Sequence, residues 1–171
     1  MREIARAAGV DSALVHHYFG TKEGLFRAAL SLPVSPGEIV AVAFAEGRQQ
    51  AGTRLLGQLL RAFEEEESRA QFASLLRSAV TGERPLTLFQ EFIGHVIGEL
   101  APRMVGRRRQ ERAALLMSTI AGMFLYRYLI PAEPLASMTP QQVQRRLAPV
   151  IQGYIDDATP VAKPPAKGET L

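Results

Sequence analysis

Residues 1–30, MREIARAAGVDSALVHHYFGTKEGLFRAAL, decide how the rest of the chain is read. Ile4, Ala5 and Ala8 recur at helical spacing and make the apolar stripe of a short first helix. Gly9 follows, where a helix ends most cheaply in a positive-φ conformation. Val10 is an apolar plug, and Asp11 is a good N-cap for a second helix that starts at Ser12. Val15 and Phe19 stand four apart on one face of that helix and are assigned to the core. His16, His17 and Tyr18 fill the rest of its last turn. Gly20 breaks it, Thr21 caps a third helix, and Leu25, Phe26 and Ala29 give that helix a buried stripe. Two short helices joined by a tight glycine turn, the second with polar tips, form a helix-turn-helix.

Ile4-Ala5, Ala8-Gly9-Val10, Val15 to Phe19 and Thr21-Lys22-Glu23 with Leu25-Phe26 resemble the DNA-binding signature of TetR-type transcriptional repressors, IA..AGVS...LY.YF.[ST]KE.L. Val15-His16 replaces the usual Leu-Tyr, so an aromatic phosphate contact becomes an imidazole. The family carries another helix before this point, and Met1 falls almost at the start of the second one. The expectation is a head lacking its first helix, through a start codon placed too far downstream or as a less stable variant. The resemblance implies that the helix from Ser12 to Phe19 enters the major groove. Ser12, Ala13 and His17 are then the candidates for base edges, and His16, Tyr18, Thr21 and Lys22 for phosphates.

The 171 residues suffice for one ordinary domain, or for a small head on a larger body. At 47% hydrophobic and 22% charged, the chain can bury a core. It has no cysteine, so disulfides and thiolate metal sites are excluded and a reducing, cytoplasmic location fits. The net charge of +3 points only weakly to a polyanion, and the head carries four basic against three acidic residues. DNA recognition therefore rests on the motif and not on bulk charge. No signal peptide and no membrane span are read. No catalytic arrangement, phosphate loop or metal motif occurs: adjacent His16 and His17 diverge by about 100° on a helix and hold one ion poorly. The expectation is a protein that is not an enzyme and needs no cofactor.

Pro33, Pro36 and Gly37 mark a hinge that separates a head, residues 1–31, from a body, residues 32–157. From Glu38 to Glu67 the text is helical, and Gly47, Gly52 and Gly57 argue for two helices there. Glu64 to Glu67 read as a solvated helix end. Further amphipathic helices are read over 69–81 and 86–100. Arg103, Arg107, Arg108, Arg109 and Arg112 form a basic cluster, either a solvated helix start or a second phosphate patch. The helix from Arg109 to Ile130 has no charge between Ala113 and Tyr126 and is apolar all round, so it needs covering on two sides. One cover is the body itself; the other is most economically a second subunit. The last helix opens at Thr139-Pro140 and should kink at Pro149. The tail, residues 158–171, has nothing to bury and is expected to be disordered.

The stretch at 127–137 and the helix after it are similar to the C-terminal domain of one branch of the same family. That resemblance implies an all-α body with a four-helix dimer bundle and a ligand pocket among the middle helices. Leu116, Val143, Leu147, Val150, Ile151 and Tyr154 are the expected interface. Phe63, Leu76, Phe89, Phe92, Ile93, Met117, Ile120, Met123, Phe124 and Tyr128 are the expected pocket wall, suited to a small apolar effector. The reading is a homodimeric, ligand-responsive repressor of double-stranded DNA at a palindromic operator. The alternative is a helical dimeric sensor of a ligand or partner with weak DNA binding.

Overall fold

The structure, a computed structural model, describes residues 2–21, 24–25, 28, 35–81 and 86–158, without the side chains at 3, 7, 72, 75–81 and 86–89. Every regular element is helical, and among the described residues there is no strand. In chain order they are α1 (Arg2–Ala8), α2 (Ser12–Phe19), α3 (Pro36–Phe44), α4 (Ala51–Glu64), α5 (Glu66–Thr81) and α6 (Leu86–Leu100). A 3-10 turn (Ala101–Arg103), α7 (Arg109–Phe124), a π turn (Leu125–Leu129) and α8 (Pro140–Asp156) complete them. No described helix is long and apolar enough to cross a membrane.

Local chemistry places most of the ends. Asp11 accepts a hydrogen bond from the Ala13 N–H at 2.8 Å and so caps α2. Gly9 lies at φ 68°, between α1 and that cap, and Gly20 ends α2 at φ 64°. Thr21 accepts from the Gly24 N–H at 3.0 Å, as expected of the cap of a third helix, of which only Gly24, Leu25 and Ala28 are described. Thr139 and Gln142 cap α8 reciprocally, with Pro140 in its first turn. The segment after the hinge does divide into two helices, α3 and α4. The charge run divides too: Glu64 ends α4, and Glu66 and Glu67 sit in the first turn of α5, where the helix dipole favours acids.

One helix differs from expectation. The long helix over 109–130 is α-helical only to Phe124, and its last turn widens to π geometry. The last helix, α8, carries Pro149 inside it and runs on to Asp156, close to the expected end.

The core is formed by α4, α7 and α8 with the end of α6. Leu56, Leu60, Leu100, Met104, Leu116, Ile151 and Ile155 are its largest fully buried side chains. Gly52 lets α4 lie against α8: a Cβ there would stand 2.8 Å from the Gln152 backbone nitrogen. The Gln152 side chain joins the two helices, accepting from the Gly52 N–H at 2.9 Å and donating to the Arg48 carbonyl at 3.1 Å.

This core corrects half of the expected subunit interface. Leu116, Val143 and Ile151 point into the body of the single chain and are fully or almost fully buried there. Leu147 and Tyr154 are half-buried against the core, and Val150 is 43% exposed. A helix that is apolar all round gives no sign of which side its own domain covers. On α7 the exposed large apolar residue is Leu115, one position before Leu116 and about 100° round the helix from it.

The basic cluster is also corrected, because Arg112 is neither solvated nor free to meet a phosphate. It is buried, donating to the carbonyls of Arg107 at 2.9 Å, Tyr154 at 2.5 Å and Val105, with Asp157 3.4 Å away. Arg103 pairs with Glu99 and Arg108 lies near Glu111, whereas Arg107 and Arg109 are exposed.

Candidate nucleic-acid interface and interior aromatic cluster

The head presents α2 outward. Val15 is buried, and so is Ala5 on α1, which anchors the two helices to each other. Ala13 and His17 lie one turn apart, and Val15 is about 200° from Ala13, so the anchor and the face carrying these two candidates point opposite ways. Ala13, His16, His17, Tyr18 and Thr21 are exposed and Ser12 is half-buried, so the structure brings these six candidates onto one accessible helix and its flank. Tyr18 is 71% exposed, and its ring stands edge-on to His17 at 5.4 Å. Lys22, the seventh candidate, lies outside the described residues.

These side chains have the chemistry of a reading face. Imidazole nitrogens and the tyrosine hydroxyl donate and accept hydrogen bonds, and alanine offers a methyl contact to thymine. Phe19 departs from expectation: assigned to the core, it is 37% exposed, and Val10 and Leu14 of the head are exposed as well. Burial of such residues depends on what packs against them, which sequence spacing does not specify.

Inside the body, Phe63 of α4 meets Phe124 of α7 with ring centroids 4.3 Å apart, and Tyr128 of the π turn stacks on Phe124 at 5.6 Å. Ile120 and Met123 are buried in the same core, and Phe92, Met117 and Tyr128 pack against it half-buried. Ile93 is 41% exposed and does not join it. Leu76 and Phe89 lie outside the described side chains.

Spacing gives no sign of the polar contacts at the edge of this cluster. Arg127, at the centre of the π turn, is buried and donates to Glu64 at 3.1 Å and to the carbonyls of Leu135 and Met138 at 2.9 and 2.7 Å. The Tyr128 hydroxyl donates to the same Glu64 oxygen at 2.9 Å. Burial opposes the charge on Arg127, but its contacts with Tyr128 and Glu64 outweigh that and hold its pKa above the usual guanidinium value. Burial, aided by Glu64, pushes the Tyr128 hydroxyl above the ordinary tyrosine range. Arg127 thus ties α4, the π turn and the following loop together in its charged form, while its Nε is buried and has no hydrogen-bond partner among the described residues. Among the described residues no group of three or more His, Cys, Asp or Glu is placed to hold a metal ion.

Residues 1–29 match the family model described as bacterial regulatory proteins, tetR family, and residues 49–155 match the model of the tetracyclin repressor-like C-terminal domain. A crystal structure of a TetR-family regulator from Streptomyces coelicolor A3 is similar at a TM-score of 0.58 and 30% identity, over 90% of this chain and 81% of that one. The HTH-type transcriptional regulator BetI of Rhizobium meliloti (strain 1021) is 63% identical over 30 residues, 18% of this chain and 15% of that protein's length.

Proposed function

This chain belongs to the TetR family of bacterial regulatory proteins, and from that premise we propose that it represses transcription as a homodimer on a palindromic operator, in the cytoplasm. The observation that carries the reading is the face of α2, capped by Asp11 at one end and closed by Gly20 at the other, with its polar side chains turned outward. Ser12, Ala13 and His17 read base edges in the major groove, and His16, Tyr18, Thr21 and Lys22 hold phosphates. The role is non-catalytic.

A small apolar or aromatic effector enters the body beside Phe63, Phe124 and Tyr128, with Arg127 and Glu64 as the polar groups within reach. Repression is relieved to the extent that this effector prefers the arrangement in which the two heads are set at the wrong spacing.

Head variants test the reading by titration against fluorescent duplexes. Tyr18→Ala is expected to weaken binding to every duplex by a similar factor, because a phosphate contact carries no sequence information, and to leave the salt dependence unchanged, because a neutral hydroxyl releases no counterion. His17→Ala is expected to cost about tenfold on the preferred site and less on others. Wild-type affinity in both variants would refute the assignment. A second reading, a dimeric sensor that binds DNA weakly, is favoured by the exposure of three apolar side chains of the head, Val10, Leu14 and Phe19. Weak binding by the wild type with no duplex preferred would select it.

A further inference from the structure

A groove of about 360 Å³ lies between α3, α4 and α8, and it shares no residue with the aromatic cluster. Arg54, Gly57, Gln58 and Arg61 of α4 line it at positions i, i+3, i+4 and i+7, which is one face of the helix. The floor is open because residue 57 has no side chain: a Cβ there would come within 2.5 Å of the Gln144 Nε2 on α8. Gln144 is held in place by its hydrogen bond to the Thr53 carbonyl at 2.9 Å.

The polar groups of the groove have one sign. Arg54 is fixed in advance, donating from Nε to the Ala43 carbonyl at 2.7 Å and from Nη2 to the Gly47 carbonyl at 2.5 Å. Those two bonds use two of its five donors. Glu46, the carboxylate near it, is 3.5 Å away with 80% of its side chain in solvent. Arg61 is exposed and makes no hydrogen bond or ion pair among the described residues. No carboxylate belongs to the lining. The two arginines sit two turns apart, about 10 Å along the helix axis.

We propose that this groove binds a small anion with two negatively charged groups, carboxylate or phosphate, one on Arg61 and one on the preset guanidinium of Arg54. Guanidinium groups bind both kinds of oxyanion through paired N–H donors, and a guanidinium already fixed by the protein loses little freedom on binding. Gln58 and the Gln144 side chain complete the polar rim. The site does not depend on the regulator reading.

Calorimetric titration of the full chain at low ionic strength with inorganic pyrophosphate, and separately with succinate, tests this. Saturable binding of at least one probe is expected, weakened about tenfold or more in Arg61→Gln and unchanged in Arg109→Gln. Binding of pyrophosphate alone assigns the groove to phosphates, and binding of succinate alone to carboxylates. Arg61 is exposed, so its replacement leaves the fold intact, and thermal unfolding of the variant checks this. Three results would overturn the proposal: no saturable binding of either probe, wild-type affinity in Arg61→Gln, or binding lost in His17→Ala but kept in Arg61→Gln.

Discussion

Arg112→Ala is expected to lower the stability of the fold by about 3–5 kcal/mol, the range seen when one partner of a buried ionic network is removed. The guanidinium lies between the loop before α7 and the end of α8, filling a space from which water is excluded. Its removal strands the carbonyls of Val105, Arg107 and Tyr154 and takes the cation from beside Asp157. A buried acceptor left without a donor costs about 1–3 kcal/mol by itself, and the three here are partly covered. At roughly 2–4 °C per kcal/mol for a chain of this size, the melting temperature should fall by about 6–20 °C. Arg109→Ala, three residues away and exposed, should change stability by no more than about 0.5 kcal/mol. Urea denaturation of both variants, followed by circular dichroism, gives the comparison. Equal effects would mean that Arg112 is as solvated as its neighbours.

The second large effect concerns the subunit contact. In the proposed dimer, the surface that meets a second copy consists of the side chains that α7, the π turn and α8 leave uncovered, with Leu115 and Tyr126 about half exposed and Val150 at 43%. Burying a side chain of this kind completely stabilises by about 1.5–3 kcal/mol, and residues at the centre of an interface carry most of the binding energy. Placing a carboxylate there reverses the sign, since an unpaired charge would have to leave water. Leu115→Glu combined with Val150→Glu is therefore expected to weaken dimerisation a hundredfold or more. At micromolar concentration the wild type should scatter light as twice 18.7 kDa and the double variant as 18.7 kDa. A monomeric wild type would remove the dimer from the account. Leu116→Glu is not a substitute, because Leu116 is fully buried and its loss would damage the core instead.

The contrast between Leu115 and Leu116 shows what the sequence can and cannot convey. Caps and stops are local, so Asp11, Gly9, Gly20 and Thr139 could be assigned from their neighbours, and each acts as assigned. The helices of the body were legible for the same reason, through spacing and glycine or proline punctuation. The rotation of α7 about its axis was not, since it is apolar on every side and only packing chooses a face.

Arg112 and Arg127 were illegible for a different reason. Most of their partners are backbone carbonyls, which every residue has, and several partners lie far away in sequence: the Tyr154 carbonyl is 42 residues from Arg112, and the Glu64 carboxylate is 63 from Arg127. No pattern of side-chain types marks such a pairing. In the candidate interface, residue types on the outer face of α2 could be read from a helical wheel, but the exposure of Phe19 depends on surrounding structure and could not. The groove over Gly57 belongs to the same class, because it exists only where α3, α4 and α8 come together.

The central claim is that two copies of α2 read DNA as a symmetric pair, and selection from a random-sequence duplex library with the purified chain tests it most directly. The account predicts an enriched palindrome whose half-site centres lie about one helical turn apart, roughly 34–36 Å, with affinity falling linearly in log–log form as salt rises. An unenriched library, or a single half-site without symmetry, would contradict it.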